Sequence, residues 1–189
     1  DFLENTPLLL TVFFLVCLIF SVLINNILLK FAQTLGVRGK QVNQIRWNPQ
    51  IKPSLGGISF FFVFLLSYVF LNLLESLDTA YRIRLTGILV VCTMAFLMGL
   101  ADDAFNTQPM LKFFTQVACA LVLLFTGNYI KIFENDFFNY MITILWIVGI
   151  MNSVNMLDNM DGITTIISIC VCIFIVIINV SLNQPLHPF

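Results

Sequence analysis

Residues 84–103 read RLTGILVVCTMAFLMGLADD, an apolar run that ends in two adjacent aspartates. Between Leu85 and Ala101 the run contains no charged side chain. A helix rises about 1.5 Å per residue, so such a run approaches the length that crosses a bilayer core of roughly 30 Å. One ionised Asp at mid-bilayer costs roughly 2.5–3.5 kcal/mol or more, so Asp102 and Asp103 belong at a helix end or in a polar cavity. The stretch therefore predicts a membrane-spanning helix with a pair of carboxylates at its C-terminal end.

Similar apolar runs fill most of the chain. Of its 189 residues, 59% are hydrophobic and only 10% are charged, which is far from the composition of a soluble domain. The runs predict transmembrane helices at about 8–29, 55–74, 84–101, 111–127, 138–157 and 163–181. We therefore expect an all-α fold, a polytopic transmembrane helix bundle of about six spans. Residues 1–189 would form one transmembrane domain embedded in the lipid bilayer.

The distribution of charge predicts the orientation of this bundle. The formal net charge is −1, which excludes nucleic-acid binding driven by bulk charge. The longest predicted loop, 30–54, carries five basic residues and no acid. The positive-inside rule places this loop in the cytoplasm, and the loops at 102–110 and 158–162 then share its side. All the polar motifs described below would face the cytoplasm.

Cysteine chemistry is not expected. The five cysteines lie inside apolar runs without a ligand-spaced His or Cys nearby, so they are interpreted as small buried hydrophobic residues rather than disulfide partners or metal ligands. They are Cys17, Cys92, Cys119, Cys170 and Cys172.

The pair Asp102 and Asp103 is a candidate metal site. Two neighbouring carboxylates repel each other unless a cation, Lys or Arg lies between them, and carboxylate oxygens are ligands for Mg²⁺ or Mn²⁺. The alternative is that the two acids mark the boundary with water and cap whatever follows. The pair alone does not decide between these interpretations.

A second polar motif ends the fifth predicted span. Residues 152–162 read NSVNMLDNMDG, in which an Asn or Asp recurs every three residues. On a helix each consecutive pair of these side chains shares a face, which gives a polar wall. Asn amides can bind a base or a phosphate ester, and Asp can accept from a ribose or bind a metal. A simple polar turn is the alternative.

A third motif precedes the second span. Residues 52–57 read KPSLGG, and glycines at a helix start expose backbone N–H groups that suit the approach of an anion. This motif is weak alone. Together with the Asp pair and the Asn/Asp wall, it describes a site for a metal-bound, phosphorylated and partly nucleoside ligand. The apolar composition predicts that the other reactant is a lipid.

The three motifs together resemble those of the polyprenyl-phosphate N-acetylhexosamine-1-phosphate transferases. This family is of the glycosyltransferase 4 type and includes the enzymes that initiate O-antigen and teichoic acid synthesis. It is related to phospho-N-acetylmuramoyl-pentapeptide transferase. A Lys-x-x-x-Gln pattern also matches, as Lys112 and Gln116. Asn159 stands where the family commonly has Gly. The matching motifs read Pro53-Ser54-Leu55-Gly56-Gly57, Gly99-Leu100-Ala101-Asp102-Asp103 and Asn152-Ser153-Val154-Asn155-Met156-Leu157-Asp158-Asn159-Met160-Asp161-Gly162.

The resemblance implies a larger fold than this chain supplies. Family members have ten or eleven transmembrane helices with a cytoplasmic active site, and the chain resembles only the first six. Two later family motifs, a G-D-x-G-S-type segment and a histidine-rich loop, have no counterpart here. The expectation is that the sequence is the N-terminal part of such an enzyme, either as a fragment or as a truncated gene product.

The resemblance also implies the reaction and the roles of residues. The implied enzyme transfers N-acetylhexosamine 1-phosphate from a UDP-N-acetylhexosamine to polyprenyl (undecaprenyl) phosphate, giving UMP, in the bacterial inner membrane. Asp102, Asp103 and Lys112 would serve the lipid phosphate, and the two aspartates would hold Mg²⁺, with Mn²⁺ as an alternative. The implied substrate-binding residues are Asn155, Asp158, Asp161, Gly56 and Gly57. An inactive lipid-binding remnant and an ion or proton transporter fragment are the alternatives.

Overall fold

A computed structural model describes residues 2–35, 56–74, 78–105, 107–157 and 162–181. Its regular structure is entirely α-helical within these ranges, which confirms the predicted fold class. Each of the six predicted spans coincides with one helix. The helices are α1 (Phe2–Leu35), α2 (Gly56–Leu74), α3 (Thr79–Phe105), α4 (Pro109–Phe125), α5 (Asp136–Leu157) and α6 (Ile163–Ser181).

Four helical segments are long and apolar enough to cross a membrane. They are Leu8–Lys30, Gly56–Leu73, Thr79–Phe105 and Asp136–Leu157. The protein is therefore a multi-pass membrane protein. The apolar helix α4 has 17 residues, about 25 Å at 1.5 Å per residue, which is at the short end of what crosses a bilayer. Membrane crossing by α4 and by the similarly short apolar part of α6 stays a prediction.

The fully buried side chains are small or polar, whereas many large apolar ones face outward. Phe60 and Leu145, for example, are each 68% exposed. Lipid tails are as apolar as leucine, so membrane helices associate through close packing and hydrogen bonds rather than through apolar burial. This accounts for the composition of the buried set, which among the described residues consists of Cys17, Ser59, Gln116, Cys119, Ala120, Asn139 and Thr143, with the helical Gly87.

Helices that follow each other in the chain pack side by side. Phe13, early in α1, stacks on Phe70, late in α2, with ring centroids 3.8 Å apart. Phe61, early in α2, stacks on Phe96, late in α3, at 4.1 Å. The start of α2 therefore lies level with the end of α3.

The most closely packed part of the molecule is formed by α3, α4 and α5. Gly87 of α3 faces the Thr126 side chain so closely that a Cβ at this position would collide with it. Gly127, at φ +79°, then turns the chain out of α4, and Asn128 Nδ2 donates to the Arg84 carbonyl at 2.9 Å. The end of α4 is thereby fixed against the start of α3.

The connection between α4 and α5 is held by two side chains of α5, Asn139 and Thr143, each 2% exposed. Asn139 Oδ1 accepts from the backbone N–H groups of Ile132 and Phe133 at 3.0 and 2.8 Å. Thr143 Oγ1 accepts from the Ile130 N–H at 3.0 Å. Irregular backbone near a membrane needs such partners, because lipid offers none.

Helix α1 extends beyond the predicted 8–29 at both ends, and α3 starts before its predicted first residue, about 84. Helix α3 begins at Thr79, and its first turn is closed by a 2.9 Å hydrogen bond from the Arg82 N–H to the Asp78 carbonyl. The predicted span 84–101 left Arg82 outside the helix. Long basic side chains can extend to the membrane surface, however, so their charge does not end a helix.

The expected burial of the cysteines is only partly confirmed. Cys17 and Cys119 are buried and Cys92 is half-buried, but Cys170 and Cys172 are exposed. These two lie on α6, which among the described residues packs only on α5. All five are free thiols.

Candidate functional site

The polar ends of four helices meet at one end of the bundle. The α4 residue Thr115 donates to Met98 Sδ of α3 at 3.6 Å, which places the start of α4 beside the end of α3. The start of α4 also contacts the end of α5 through Gln116 and Asn152. Together with the α2–α3 pairing, these contacts define a polar end that contains Gly56, Asp102, Lys112 and Asn155. The prediction that the three motifs share one side is confirmed for the residues that the structure describes.

An ion pair joins α3 to α4 at the polar end. Lys112 Nζ donates to Asp102 Oδ2 at 2.8 Å, and the side chains of Lys112 and Asp102 are 29% and 27% exposed. Such a charge-assisted hydrogen bond is about twice as strong as a neutral one. Two adjacent carboxylates need a nearby positive charge to reduce their repulsion. Lys112 provides that charge for Asp102.

The second carboxylate oxygen of Asp102 organises the connection between the two helices. Asp102 Oδ1 accepts from the Thr107 hydroxyl at 2.8 Å and from the Thr107 backbone N–H at 3.1 Å. Pro109 follows as the first residue of α4, where its missing N–H has no helical partner to lose. Asp102 thus fixes both the chain that leads into α4 and the lysine near its start.

Asp103 has different surroundings from its neighbour. It lies in the last turn of α3 and is exposed. No hydrogen bond from a described residue reaches its carboxylate, whereas Asp102 accepts three. The two aspartates therefore have different surroundings: Asp102 binds protein groups, and Asp103 is exposed.

Gln116 and Asn152 join α4 to α5 through a reciprocal pair of hydrogen bonds. Gln116 Nε2 donates to Asn152 Oδ1 at 3.1 Å, and Asn152 Nδ2 donates to Gln116 Oε1 at 3.1 Å. The sequence predicted a polar wall that included Asn152. The structure instead directs the Asn152 amide to Gln116, and leaves the exposed Asn155 as the described amide nearer the end of α5.

The remaining predicted donor residues, Asp158 and Asp161, lie outside the described residues, so their placement stays a prediction. The motif's last residue, Gly162, is described and has φ +80°, a left-handed conformation that favours glycine. Its carbonyl accepts from the Ile166 N–H at 3.0 Å, which starts α6. This backbone conformation explains why a glycine stands at position 162.

Gly56 and Gly57 are the first two residues of α2 and are exposed. A Cβ at either position would meet no described atom within 4 Å. Their predicted place at a helix start is confirmed, and their predicted contact with an anion stays a prediction. Pro53, Ser54 and Leu55 of the same motif lie outside the described residues.

The chemistry of the donor set decides which kind of metal site is feasible. The described part of the chain contains no group of three His, Cys, Asp or Glu side chains that could hold a metal ion. Mg²⁺, however, is usually held by one or two carboxylates together with substrate phosphates and water. The exposed Asp103, with Asp102 beside it, fits that arrangement.

Two features of the site were missed by sequence reasoning. The role of Thr107 in anchoring Asp102 had only a weak signal, a hydroxyl residue shortly before a proline. The pairing of Gln116 with Asn152 had a clearer sequence signal, because two amides in neighbouring apolar helices need hydrogen-bond partners in a membrane. The same signal applies to Asn139 and Thr143.

Comparison with known proteins identifies matching families and relatives. Residues 85–187 match the family model described as glycosyl transferase family 4, which is more than half of the chain. This range includes α4 and α5 and the Asp102–Lys112 ion pair. No solved structure matches the chain.

Two curated relatives match over longer ranges. A protein of Bacillus subtilis (strain 168), named "probable undecaprenyl-phosphate N-acetylglucosaminyl 1-phosphate transferase", is 27% identical over 176 residues, 88% of this chain and 47% of the relative. The phospho-N-acetylmuramoyl-pentapeptide-transferase of Limosilactobacillus reuteri (strain DSM 20016) is 27% identical over 157 residues, 72% of this chain and 46% of the relative. The chain spans about half the length of the curated relatives it matches.

Proposed function

The chain belongs to glycosyl transferase family 4, and we propose that the complete protein transfers N-acetylhexosamine 1-phosphate from a UDP-sugar to polyprenyl phosphate. The products are a polyprenyl-diphosphate sugar and UMP. The observation that carries this proposal is the Asp102–Lys112 ion pair at the polar end of a membrane bundle, with the exposed Asp103 beside it. The names of the two relatives, both transferases of this kind, support the reaction class.

Lys112 is the proposed contact for the lipid phosphate. An ammonium group has three N–H donors, and the hydrogen bond to Asp102 uses one of them. A polyprenyl chain lies in the bilayer, so its phosphate approaches the protein at the membrane surface, where the polar end lies. Asp102 holds the ammonium in place, which removes the need to order a long side chain when the lipid binds.

The transfer needs little help from a general base. An oxygen of the lipid phosphate attacks the β-phosphorus of the UDP-sugar, and the bond from that phosphorus to the bridging oxygen breaks as UMP leaves. A phosphate monoester has a second pKa of about 6, so at neutral pH the attacking oxygen is already ionised. The three hydrogen bonds that Asp102 accepts favour a positioning role over one as base or covalent nucleophile.

Asp103, with Asp102 beside it, is the proposed holder of Mg²⁺, or alternatively of Mn²⁺. A bound divalent cation would neutralise phosphate charge and help to orient an in-line displacement. The other proposed anion contact is the exposed backbone at Gly56 and Gly57, which begins α2 at the same end of the bundle.

The UDP part of the donor is assigned to the end of α5. Asn155 supplies an exposed amide there, and Asp158 and Asp161 follow it in the sequence. Asn and Asp side chains suit the hydrogen-bonding edges of uracil and ribose. The two substrates would thus be bound by different segments that meet at the polar end.

A transporter is the competing function, and the positions of the acids argue against it. An ion path places acidic side chains near mid-span. Asp102 and Asp103 lie in the last turn of α3, and Asp136 lies in the first turn of α5. An inactive lipid-binding remnant differs from the proposed enzyme only in turnover, so activity measurement separates these two.

The polar end is proposed to face the cytoplasm in a bacterial inner membrane. UDP-sugars are made in the cytoplasm, and the basic residues of 30–54 favour the cytoplasmic side. Single cysteines at Gln44 and Asn106, in a cysteine-free background, are expected to resist an impermeant thiol reagent added outside intact spheroplasts. A cysteine at Lys131, beyond the other end of α4, should react. Labelling of Gln44 or Asn106 from outside, with Lys131 protected, would overturn the orientation.

Separate binding sites for the two substrates predict a selective effect of Asp161→Asn. A hydrogen bond to a charged acceptor contributes about 1.5–3 kcal/mol, so the Kd for the UDP-sugar should rise roughly ten- to a hundredfold. The Kd for a short-chain polyprenyl phosphate should stay nearly unchanged. Calorimetry on the purified complete protein with Mg²⁺ measures both. Equal weakening of both ligands would mean that Asp161 supports the metal or the fold instead.

The proposed function is tested by UMP release from the purified complete protein in nanodiscs. UDP-N-acetylglucosamine is the first donor to test, given the name of the Bacillus relative. UMP should form only when undecaprenyl phosphate is present, should stop on addition of EDTA, and should resume with excess Mg²⁺. UMP formation without the lipid, or no UMP with any UDP-N-acetylhexosamine, would contradict the proposal.

A further inference from the structure

We infer that Gln116 and Asn152 form an amide clamp, defined by their two mutual hydrogen bonds, that positions the lipid-phosphate and donor sides of the site relative to each other. The catalytic consequence of the clamp rests on the proposed function. The clamp itself rests only on the geometry of α4 and α5. Neither side chain is assigned contact with a substrate, so both are positioning residues.

The geometry of the clamp restricts the relative orientation of α4 and α5 as well as the distance between them. Each amide donates to the other and accepts from it, and both hydrogen bonds measure 3.1 Å. A single hydrogen bond would allow the helices to pivot about it, whereas two parallel ones restrict their relative rotation and sliding as well. Gln116 is only 7% exposed, so competition from water is restricted on its side of the pair.

The clamp lies one helical turn from the site. Gln116 is four residues after Lys112, and residues at this spacing share a face of a helix. Asn152 is three residues before Asn155 on α5. The clamp provides two side-chain hydrogen bonds between α4 and α5. It therefore links the element that carries the lipid-phosphate contact to the element that carries the donor contact.

A membrane bundle has a physical need for such a link. Apolar side chains gain little by facing another helix rather than lipid, so apolar packing alone defines the register of two helices weakly. A polar pair between two helices can specify their register, as a single buried Asn does in coiled coils. In a two-substrate reaction, a misplacement of about 1 Å can lower the rate roughly a hundredfold.

The test uses Gln116→Leu, Asn152→Leu and the double variant in the complete protein. Each is expected to lower kcat at least about tenfold, with the KM for each substrate within about threefold of wild type, because each substrate still binds but the two are misaligned. Asn152→Leu leaves the buried Gln116 amide unpaired and should lower the Tm, whereas the exposed Asn152 amide that remains in Gln116→Leu can bond to water. The double variant has no unpaired amide, so its Tm should recover while its kcat stays low.

Thr143→Val is the matched control. It removes a buried hydrogen bond at the other end of α5, and it should lower the Tm without changing kcat. If kcat in the Leu variants simply follows the Tm, so that the double variant recovers both, the clamp is structural and the inference is overturned. A rise in KM for one substrate with unchanged kcat would overturn it as well, because that pattern indicates direct binding.

A distance measurement tests the clamp without any activity. Spin labels at Met110 of α4 and Val154 of α5, both exposed, report the separation of the two helix ends. Gln116→Leu should broaden the distance distribution, and Thr143→Val should not. An unchanged distribution would overturn the clamp even in an active enzyme. A broadened one, in a protein whose wild type transfers no sugar phosphate, would uphold the clamp and reject only the proposed function.

Discussion

Asp103→Asn and Asp102→Asn, each in the complete protein, are expected to lower transfer by at least about a hundredfold while expression stays normal. Either change removes a negative charge but almost no volume, so packing is retained. The reasons for the loss differ. Asp103 is the exposed carboxylate proposed to hold the cation, whereas Asp102 fixes Lys112 and Thr107. Initial rates of UMP formation at saturating substrates measure the effect.

Asp136→Asn is the matched control for these variants. Asp136 is exposed in the first turn of α5, at the opposite end of the bundle, and its neutralisation should leave the rate within about twofold, as for most surface substitutions. Near-normal turnover of both Asp102→Asn and Asp103→Asn would return the pair to the simpler interpretation, in which they only mark the boundary with water.

Lys112→Met is expected to lower kcat/KM for the polyprenyl phosphate by at least about a hundredfold, since a direct charge-assisted hydrogen bond to phosphate is lost and Asp102 becomes an unpaired anion beside it. The KM for the UDP-sugar should change little, because Asn155 and its neighbours are the proposed donor contacts. The measurement is a pair of substrate titrations, each at a saturating concentration of the other substrate.

Lys131→Met provides the comparison for a lysine away from the site. Lys131 is exposed in the connection between α4 and α5, with Nζ 5.1 Å from the Tyr129 ring centroid. Its loss should leave both titrations unchanged. If Lys112→Met raised the KM for the UDP-sugar alone, Lys112 would belong to the donor side and the proposed division between the two substrates would be wrong.

Much of the fold was predictable from the sequence, because membrane helices are set mainly by length and apolarity. The six runs matched six helices, and the Asp pair lay at a helix end as its cost of insertion requires. The predicted start of α3, at about 84, left Thr79 and Arg82 outside the helix. The helical hydrogen bonds continue through them, and Asp78, immediately before the helix, was an available capping signal.

The site was less predictable than the fold, because side-chain partners depend on how helices rotate against each other. The motifs placed Asp102, Asp103, Lys112 and Asn155 at one side of the membrane. They did not reveal that Lys112 and Thr107 both bind Asp102, which gives the two aspartates different surroundings. They also assigned Asn152 to a ligand-facing wall, whereas the register of α4 and α5 pairs it with Gln116.

The proposed transfer of a sugar together with its phosphate is tested most directly by following the β-phosphorus of the donor. The complete protein would be supplied with UDP-N-acetylglucosamine labelled with ³²P in the β-phosphate and with ³H in the sugar, together with undecaprenyl phosphate and Mg²⁺. The account predicts that both labels enter the lipid fraction in equal molar amounts, with one unlabelled UMP released for each. Transfer of ³H without ³²P, with release of labelled UDP, would contradict it.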